Sequence, residues 1–153
     1  MNPGDRLPAF RLPDETGAPR TVGDLAGPRG LVLYAYPKDD TPGCTIEAQD
    51  FRDQIDSFRA AGFGVAGISM DDAGSHCSFR DKYGLNFPLL TDAEGGFLRE
   101  IGAYGEKNRY GKKSMGVLRS TVVVDPEGTV LKHYPNVRAQ GHAERVLGEV
   151  AEL

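Results

Sequence analysis

Two short apolar runs, separated by a stretch with helical periodicity, constrain this chain more than any other feature. The first, Leu31-Val32-Leu33-Tyr34-Ala35-Tyr36, is rich in β-branched and aromatic residues and is bounded by Gly30 and Pro37, so it reads as a buried strand. The second, Phe63-Gly64-Val65-Ala66-Gly67-Ile68-Ser69-Met70, reads the same way. Between them Cys44, Ala48, Phe51, Ile55 and Phe58 recur at alternating spacings of four and three, which is one face of a helix from about 42 to 61, closed by Gly62. Strand, helix, strand within this span is a βαβ unit, and its two strands must pair in parallel.

The loop that joins the first strand to this helix carries helix-start chemistry. Thr41 suits the N-cap, and Pro42 then falls at the first helical position, where its missing N–H costs nothing. On that register Cys44 lies in the first turn. Unpaired backbone N–H groups and the positive end of the helix dipole favour an anion there. A thiol so placed loses its proton more easily, and the thiolate is the nucleophile. Cys44 therefore reads either as a reactive cysteine or as an inert one packed on the apolar face of its helix.

The rest of the chain adds elements around that unit. A short strand over Ala9–Leu12, a turn at Asp14–Gly17 and a second short strand near Arg20–Val22 form an N-terminal pair, followed by one helical turn over Val22–Gly27. A helix is expected over Asp71–Gly84, capped by Asp72 or Ser75 and holding Cys77, Phe79 and Tyr83, and a short one over Gly96–Ile101. The segment from Tyr104 to Met115 is rich in Gly and Lys and has no clear period, so it reads as an exposed loop. Its Lys107, Arg109, Lys112 and Lys113 are either solvated charges or a lip that contacts a partner or attracts anionic peroxides. Val117–Val124 and Thr129–Tyr134 flank the turn Asp125-Pro126-Glu127-Gly128 as a hairpin, and a last helix runs from about 140 to 152.

Composition excludes several classes of function. The 153 residues suit one domain, 1–153, with one sizeable core. A net charge of −4 argues against non-specific nucleic-acid binding. No apolar run approaches the roughly 20 residues of a membrane span. The opening Met1–Arg6 lacks the apolar stretch of a signal peptide, so a cytoplasmic protein is expected. Two cysteines in a reducing compartment point to redox chemistry or plain packing more than to a structural staple. With three histidines and no close pairing among these groups, neither a zinc site nor any other metal is expected.

Pro37-x-x-x-Thr41-x-x-Cys44 resembles the active-site motif of the peroxiredoxins. The fuller string Tyr36-Pro37-Lys38-Asp39-Asp40-Thr41-Pro42-Gly43-Cys44-Thr45 resembles the peroxiredoxin Q, or bacterioferritin comigratory protein, branch. Asn86-Phe87-Pro88-Leu89-Leu90-Thr91-Asp92 is also similar to that branch, and the likeness covers nearly the whole chain. It implies an α/β, thioredoxin-like sandwich with a mixed central sheet, helices on both faces and an N-terminal β-hairpin. The predicted order β-β-β-α-β-α-α-β-β-α fits that sandwich.

The resemblance also implies roles. Cys44 becomes the peroxidatic thiolate, which attacks a peroxide and is left as a sulfenic acid. Thr41, whose hydroxyl can donate and accept, steers the peroxide and bonds the thiolate. Pro37 shapes the loop and keeps water away. Arg119, in Arg119-Ser120-Thr121-Val122-Val123-Val124-Asp125, matches a family arginine that sits beside the thiolate. Glu47, one helical turn past Cys44, matches the glutamate that orients this arginine. Without the resemblance, Arg119 reads as a strand-end surface charge and Glu47 as a dipole-favoured first-turn acid. Asp39 and Asp40 read as solvated loop charges, and His76 as a surface residue.

Many members of the branch resolve the sulfenic acid with a cysteine five residues on, but that position here is Gln49. Others carry the resolving cysteine in the helix after the next strand, where Cys77 lies. Cys77 is then the resolving residue or a passive helix residue, the latter leaving a one-cysteine enzyme served by an external thiol. The expected partners are a peroxide and thioredoxin or a similar dithiol, with no cofactor, no nucleic acid, no membrane and a monomeric state. Two other classes compete. A thioredoxin-type disulfide oxidoreductase is weakened by the lack of a second cysteine within three positions of Cys44. A non-enzymatic thioredoxin-fold binding module has no need of Thr41 or Arg119.

Overall fold

The structure is a computed structural model that describes residues 1–109 and 111–153; Tyr110 and the side chain of Arg109 lie outside the described residues. Along the chain come β1 (Leu12–Pro13), β2 (Pro19–Arg20), α1 (Val22–Leu25), β3 (Gly30–Ala35), α2 (Pro42–Ala60), β4 (Phe63–Ser69), α3 (Ala73–Tyr83) and β5 (Leu89–Thr91). There follow α4 (Gly96–Glu100), β6 (Tyr104–Arg109), β7 (Lys112–Val117), β8 (Ser120–Val124), β9 (Val130–Tyr134) and α5 (His142–Val150). Five strands form one sheet in the order β5-β4-β3-β8-β9. β3 lies at its centre, parallel to β4 and antiparallel to β8, so the sheet is mixed as the βαβ unit and the late hairpin require.

All six residues of β3 are buried, because both faces of the sheet are covered. Its side chains alternate between two cores. Val32 and Tyr34, with Tyr36 just beyond, join Phe51 and Phe58 of α2 and Ala143, Val146 and Val150 of α5. Leu31, Leu33 and Ala35 join Leu25 of α1, Phe97 and Leu98 of α4 and Ile101. The Tyr34 ring stacks on Phe51 with centroids 4.5 Å apart. β4 leaves room for the tyrosines by carrying glycine at position 67, where a Cβ would lie 3.0 Å from the rings of both Tyr34 and Tyr36.

Local chemistry sets the helix ends. The Asp72 side chain accepts from Ser75 N at the start of α3, and Gly84 ends it in the left-handed conformation that costs glycine nothing. Among the described residues no helix is long and apolar enough to cross a membrane.

Three expectations are corrected. The segment read as an exposed loop holds an antiparallel pair, β6 with β7, running from Tyr104↔Val117 to Arg109↔Lys112. Its strands bond to each other outside the main sheet, and Lys112–Met115 stay exposed, so no buried face imprints a period on the sequence. The strand expected over Val117–Val124 is broken, since β7 ends at Val117, β8 begins at Ser120, and Leu118 and Arg119 form the step between. The N-terminal pair is shorter and shifted, with Leu12 opposite Arg20. Asp14 draws the chain into its turn by accepting from Thr16 N, Ala18 N and Arg20 Nε.

Candidate active site

The loop Pro37–Thr41 leaves the C-terminal end of the central strand and enters α2 at Pro42. Thr41 occupies the N-cap position, but its side chain makes no capping bond. Its hydroxyl instead donates to the Lys38 carbonyl at 2.8 Å, which closes the loop on itself. A hydroxyl has one proton to give, so the expected donation from Thr41 to the thiolate is not made; its lone pairs remain as acceptors. Cys44 sits at the third helical position and is 1% exposed. The first intrahelical bond in this turn is Thr45 N to Thr41 O, so the N–H groups of Gly43 and Cys44 lie in the turn that has no carbonyl behind it.

Arg119 reaches this turn from the step between β7 and β8. The register of β3 with β8 places Ser120 opposite Ala35, so the residue before Ser120 lies beside the start of the loop. Val137 N donates to the Arg119 carbonyl at 2.9 Å and fixes its backbone. The guanidinium then divides its two ends: Nη2 donates to Cys44 Sγ at 3.4 Å and Nη1 to Glu47 Oε1 at 2.7 Å. Gly43 makes this approach possible, because a Cβ there would stand 3.0 Å from Nη2. Nothing local in the sequence marks that glycine as a steric requirement.

Glu47 is fully buried on α2, and its Oε2 has no hydrogen-bond partner among the described residues. Burial without a partner for that oxygen pushes its carboxyl up to about 7, even though Arg119 pulls the other way. For Arg119 burial opposes the charge, but Glu47 and Cys44 outweigh it and the guanidinium is held above its usual range. A carboxyl raised in the folded protein contributes full stability below its unfolded value, and that contribution disappears as pH climbs through the folded value. From the ordinary 4.5 to about 7, the wild type is expected to lose on the order of 3 kcal/mol that Glu47→Gln does not lose. Denaturant unfolding of both proteins at pH 5 and pH 8 measures this, and parallel pH dependences would contradict the assignment.

Tyr34 Oη, buried under the same turn, likewise has no hydrogen-bond partner among the described residues. Burial first, then Glu47 and Cys44, push its phenol well up, so it stays neutral. Pro37, Lys38, Thr41, Pro42, Gly43, Lys107 and Arg119 line a cleft of about 490 Å³ at the mouth of the site. Lys107 of the β6–β7 pair, half-buried, thus faces the loop Pro37–Thr41, whereas Lys112 and Lys113 are exposed. A cleft of about 570 Å³ beside Leu7, Phe10 and Pro126 shares no residue with this centre.

Two residues read as solvent-facing lie inside. Asp39 is buried, and its carboxylate accepts from Tyr36 Oη at 2.5 Å, Ser75 Oγ at 2.8 Å and His76 Nδ1 at 2.7 Å. His76 is fully buried, with Nε2 3.0 Å from the Leu90 carbonyl. Each polar group is tolerated because the other satisfies it, a pairing across 37 positions that no local pattern encodes. Asp40 is exposed as expected, at φ 58°, and bonds Lys82 and Tyr83. Asp39, Asp71 and His76 place ligand-type atoms within 4.8 Å of one another, but both Asp39 oxygens and both His76 nitrogens are already occupied.

Cys44, Thr41, Pro37, Glu47 and Arg119 thus converge on one turn. Cys77 does not join them. It is half-buried on α3, and its Sγ lies 3.4 Å from the Glu15 carbonyl; both thiols are free.

The model of the AhpC/TSA family matches residues 3–133. Peroxiredoxin Bcp of Xanthomonas campestris is 41% identical over 144 residues, 92% of this chain and 90% of its own. The chain belongs to the peroxiredoxins. A Mycobacterium tuberculosis protein is 47% identical over 146 residues, covering 95% of this chain and 92% of its own. The solved structure of Xylella fastidiosa PrxQ superposes with a TM-score of 0.90 at 33% identity, over 99% of this chain and 96% of that one. That of the Xanthomonas campestris bacterioferritin comigratory protein, described for alkyl peroxide reduction activity, superposes at 0.85 with 38% identity over 94% and 90%. As a peroxiredoxin the chain is a peroxidase that takes a peroxide as substrate and a thiol as reductant.

Proposed function

We propose that Cys44 is the peroxidatic thiolate and that Cys77 resolves it, in a single domain spanning residues 1–153. The observation that carries this reading is the two-ended Arg119, which donates to Cys44 Sγ while Glu47 holds its other nitrogen. A fixed cation on sulfur favours the anion before attack and stabilises charge that develops on the peroxide oxygens. The sulfur attacks one oxygen of R–O–O–H, the O–O bond breaks, and sulfur keeps that oxygen as sulfenic acid. The departing oxygen takes a proton and leaves as water or alcohol. Thr41, its own proton given to Lys38, accepts from the peroxide O–H and aims it. Pro37 and the cleft wall exclude water from the sulfur.

Cys77 then displaces the hydroxyl oxygen from Cys44, and thioredoxin or a similar dithiol reduces the disulfide back to two thiols. Hydrogen peroxide and organic hydroperoxides are the substrates, the latter supported by the activity described for the Xanthomonas campestris relative. The net charge of −4 supports a protein that binds no nucleic acid, and we place it in the cytoplasm as a monomer without membrane contact.

The test is non-reducing peptide mapping of wild type and Cys77→Ser after one equivalent of hydrogen peroxide. A Cys44–Cys77 disulfide in the wild type, with Cys44 sulfenic acid accumulating in the variant, is the expected result. Oxidation of Cys44 without pairing makes this a one-cysteine enzyme served by an external thiol. An unoxidised Cys44 ends the peroxidase reading of this site.

A further inference from the structure

Cys77 is tied down on both sides. Its neighbours in α3, Ser75 and His76, bond Asp39 of the catalytic loop at 2.8 and 2.7 Å in a buried setting. On the outside the N-terminal turn holds the same helix. The Glu15 carbonyl faces Cys77 Sγ, and its carboxylate meets Arg80 of α3 at 3.4 Å and Leu89 N of β5 at 3.4 Å. Successive helical residues point about 100° apart. With His76 turned inward to Asp39 and Leu90, Cys77 is turned to Glu15 instead of the catalytic loop.

We propose that His76 is a positioning residue for the resolution step: its bond to Asp39 holds α3 wound, and its release sets the rate at which Cys77 reaches the oxidised Cys44. The inference rests on Cys77 being the resolving cysteine. A disulfide needs Cα atoms within roughly 7 Å, and a residue locked in a helix with its thiol on another contact meets that only after local unwinding. In the covalent step the Cys77 sulfur attacks the Cys44 sulfur, the S–S bond forms and the S–O bond breaks. Cys77 is oxidised and Cys44 reduced; the hydroxide leaves and takes the Cys77 proton as water. Until then the sulfenic acid stays open to a second peroxide, which carries it to sulfinic acid. The strength of the His76–Asp39 bond thereby divides oxidised enzyme between recycling and inactivation.

Two substitutions separate the Asp39 bond from the general fit of the ring. The Asn amide nitrogen falls near the position of Nδ1, and that of Gln near Nε2. His76→Asn therefore keeps the bond to Asp39, and His76→Gln keeps only the bond to the Leu90 carbonyl. The chain has no Trp to report the motion, so rapid quench with alkylation and mass spectrometry follows each species. His76→Gln is expected to form the Cys44–Cys77 disulfide roughly tenfold faster, with a matching fall in the sulfinic fraction at excess peroxide. The peroxide step is expected to stay within about twofold, and His76→Asn to resolve near the wild-type rate. Should the buried variants not fold, Glu15→Ala removes the carboxylate that ties the same helix through Arg80 and is expected to speed resolution about threefold. Equal acceleration by Asn and Gln, or wild-type resolution rates in every variant, overturns the inference alone. A wild type that forms no Cys44–Cys77 disulfide overturns the reading of Cys77 along with it.

Discussion

Cys44→Ser is expected to lower the rate of peroxide consumption by at least roughly a thousandfold. The exchange is nearly isosteric in a site where the sulfur is buried, so the fold and the Arg119–Glu47 pair should persist. What is lost is the nucleophile. A serine hydroxyl stays protonated at neutral pH, and the single guanidinium hydrogen bond at 3.4 Å does not ionise an alcohol. Cys77 cannot substitute, since its thiol is held at Glu15, away from Thr41 and Arg119. Hydrogen peroxide consumption with a dithiol reductant in excess measures the effect. A Cys44→Ser protein that retains more than a few per cent of the rate, while Cys77→Ser loses it, would place the chemistry at the other cysteine.

Arg119→Met is expected to cost roughly a hundred- to a thousandfold in the peroxide step, the usual loss when a preorganised donor is removed from developing negative charge. The methionine fills similar space but offers no donor to Cys44. The protein should still fold, because burial already pushes the Glu47 carboxyl up to about 7, and without its partner it takes a proton and becomes neutral. Arg119→Lys should recover only part of the loss. One ammonium is a point charge, and it does not span Cys44 and Glu47 as the fork of a guanidinium does. Rapid mixing with peroxide under single-turnover conditions isolates this step. Equal rates in Arg119→Met and wild type would remove Arg119 from the chemistry and leave it a structural ion pair.

The βαβ unit, the motif loop and Cys44 are legible from local signals, whereas Arg119 and Glu47 are legible as site residues only through the family resemblance. The helix face starting at Cys44 has its period, and Thr41-Pro42 marks the helix start although the Thr41 side chain makes no capping bond; the position of Arg119 ahead of an apolar strand alone marks only a surface charge. The β6–β7 pair is illegible for the opposite reason: a pair bonded outside the main sheet, with Lys112–Met115 of its second strand all exposed, has no alternation to read. Asp39 and His76 are polar residues that stay inside only through each other, and Gly43 is small only because Arg119 comes to it. Such requirements exist between distant parts of the chain, so one sequence shows the residues without the reason for them.

The guanidinium that bonds Cys44 lies 75 residues further along the chain. During synthesis, α2 and its cysteine leave the ribosome long before β8 exists to pair with β3. Until that pairing closes, the thiol of the growing chain has no guanidinium beside it. The closing of β8 against β3, a contact between distant segments and so a slow one to find, is also the event that brings the guanidinium to the sulfur. On the role proposed for Arg119, a half-made or half-folded copy lacks the donor that the peroxide step uses.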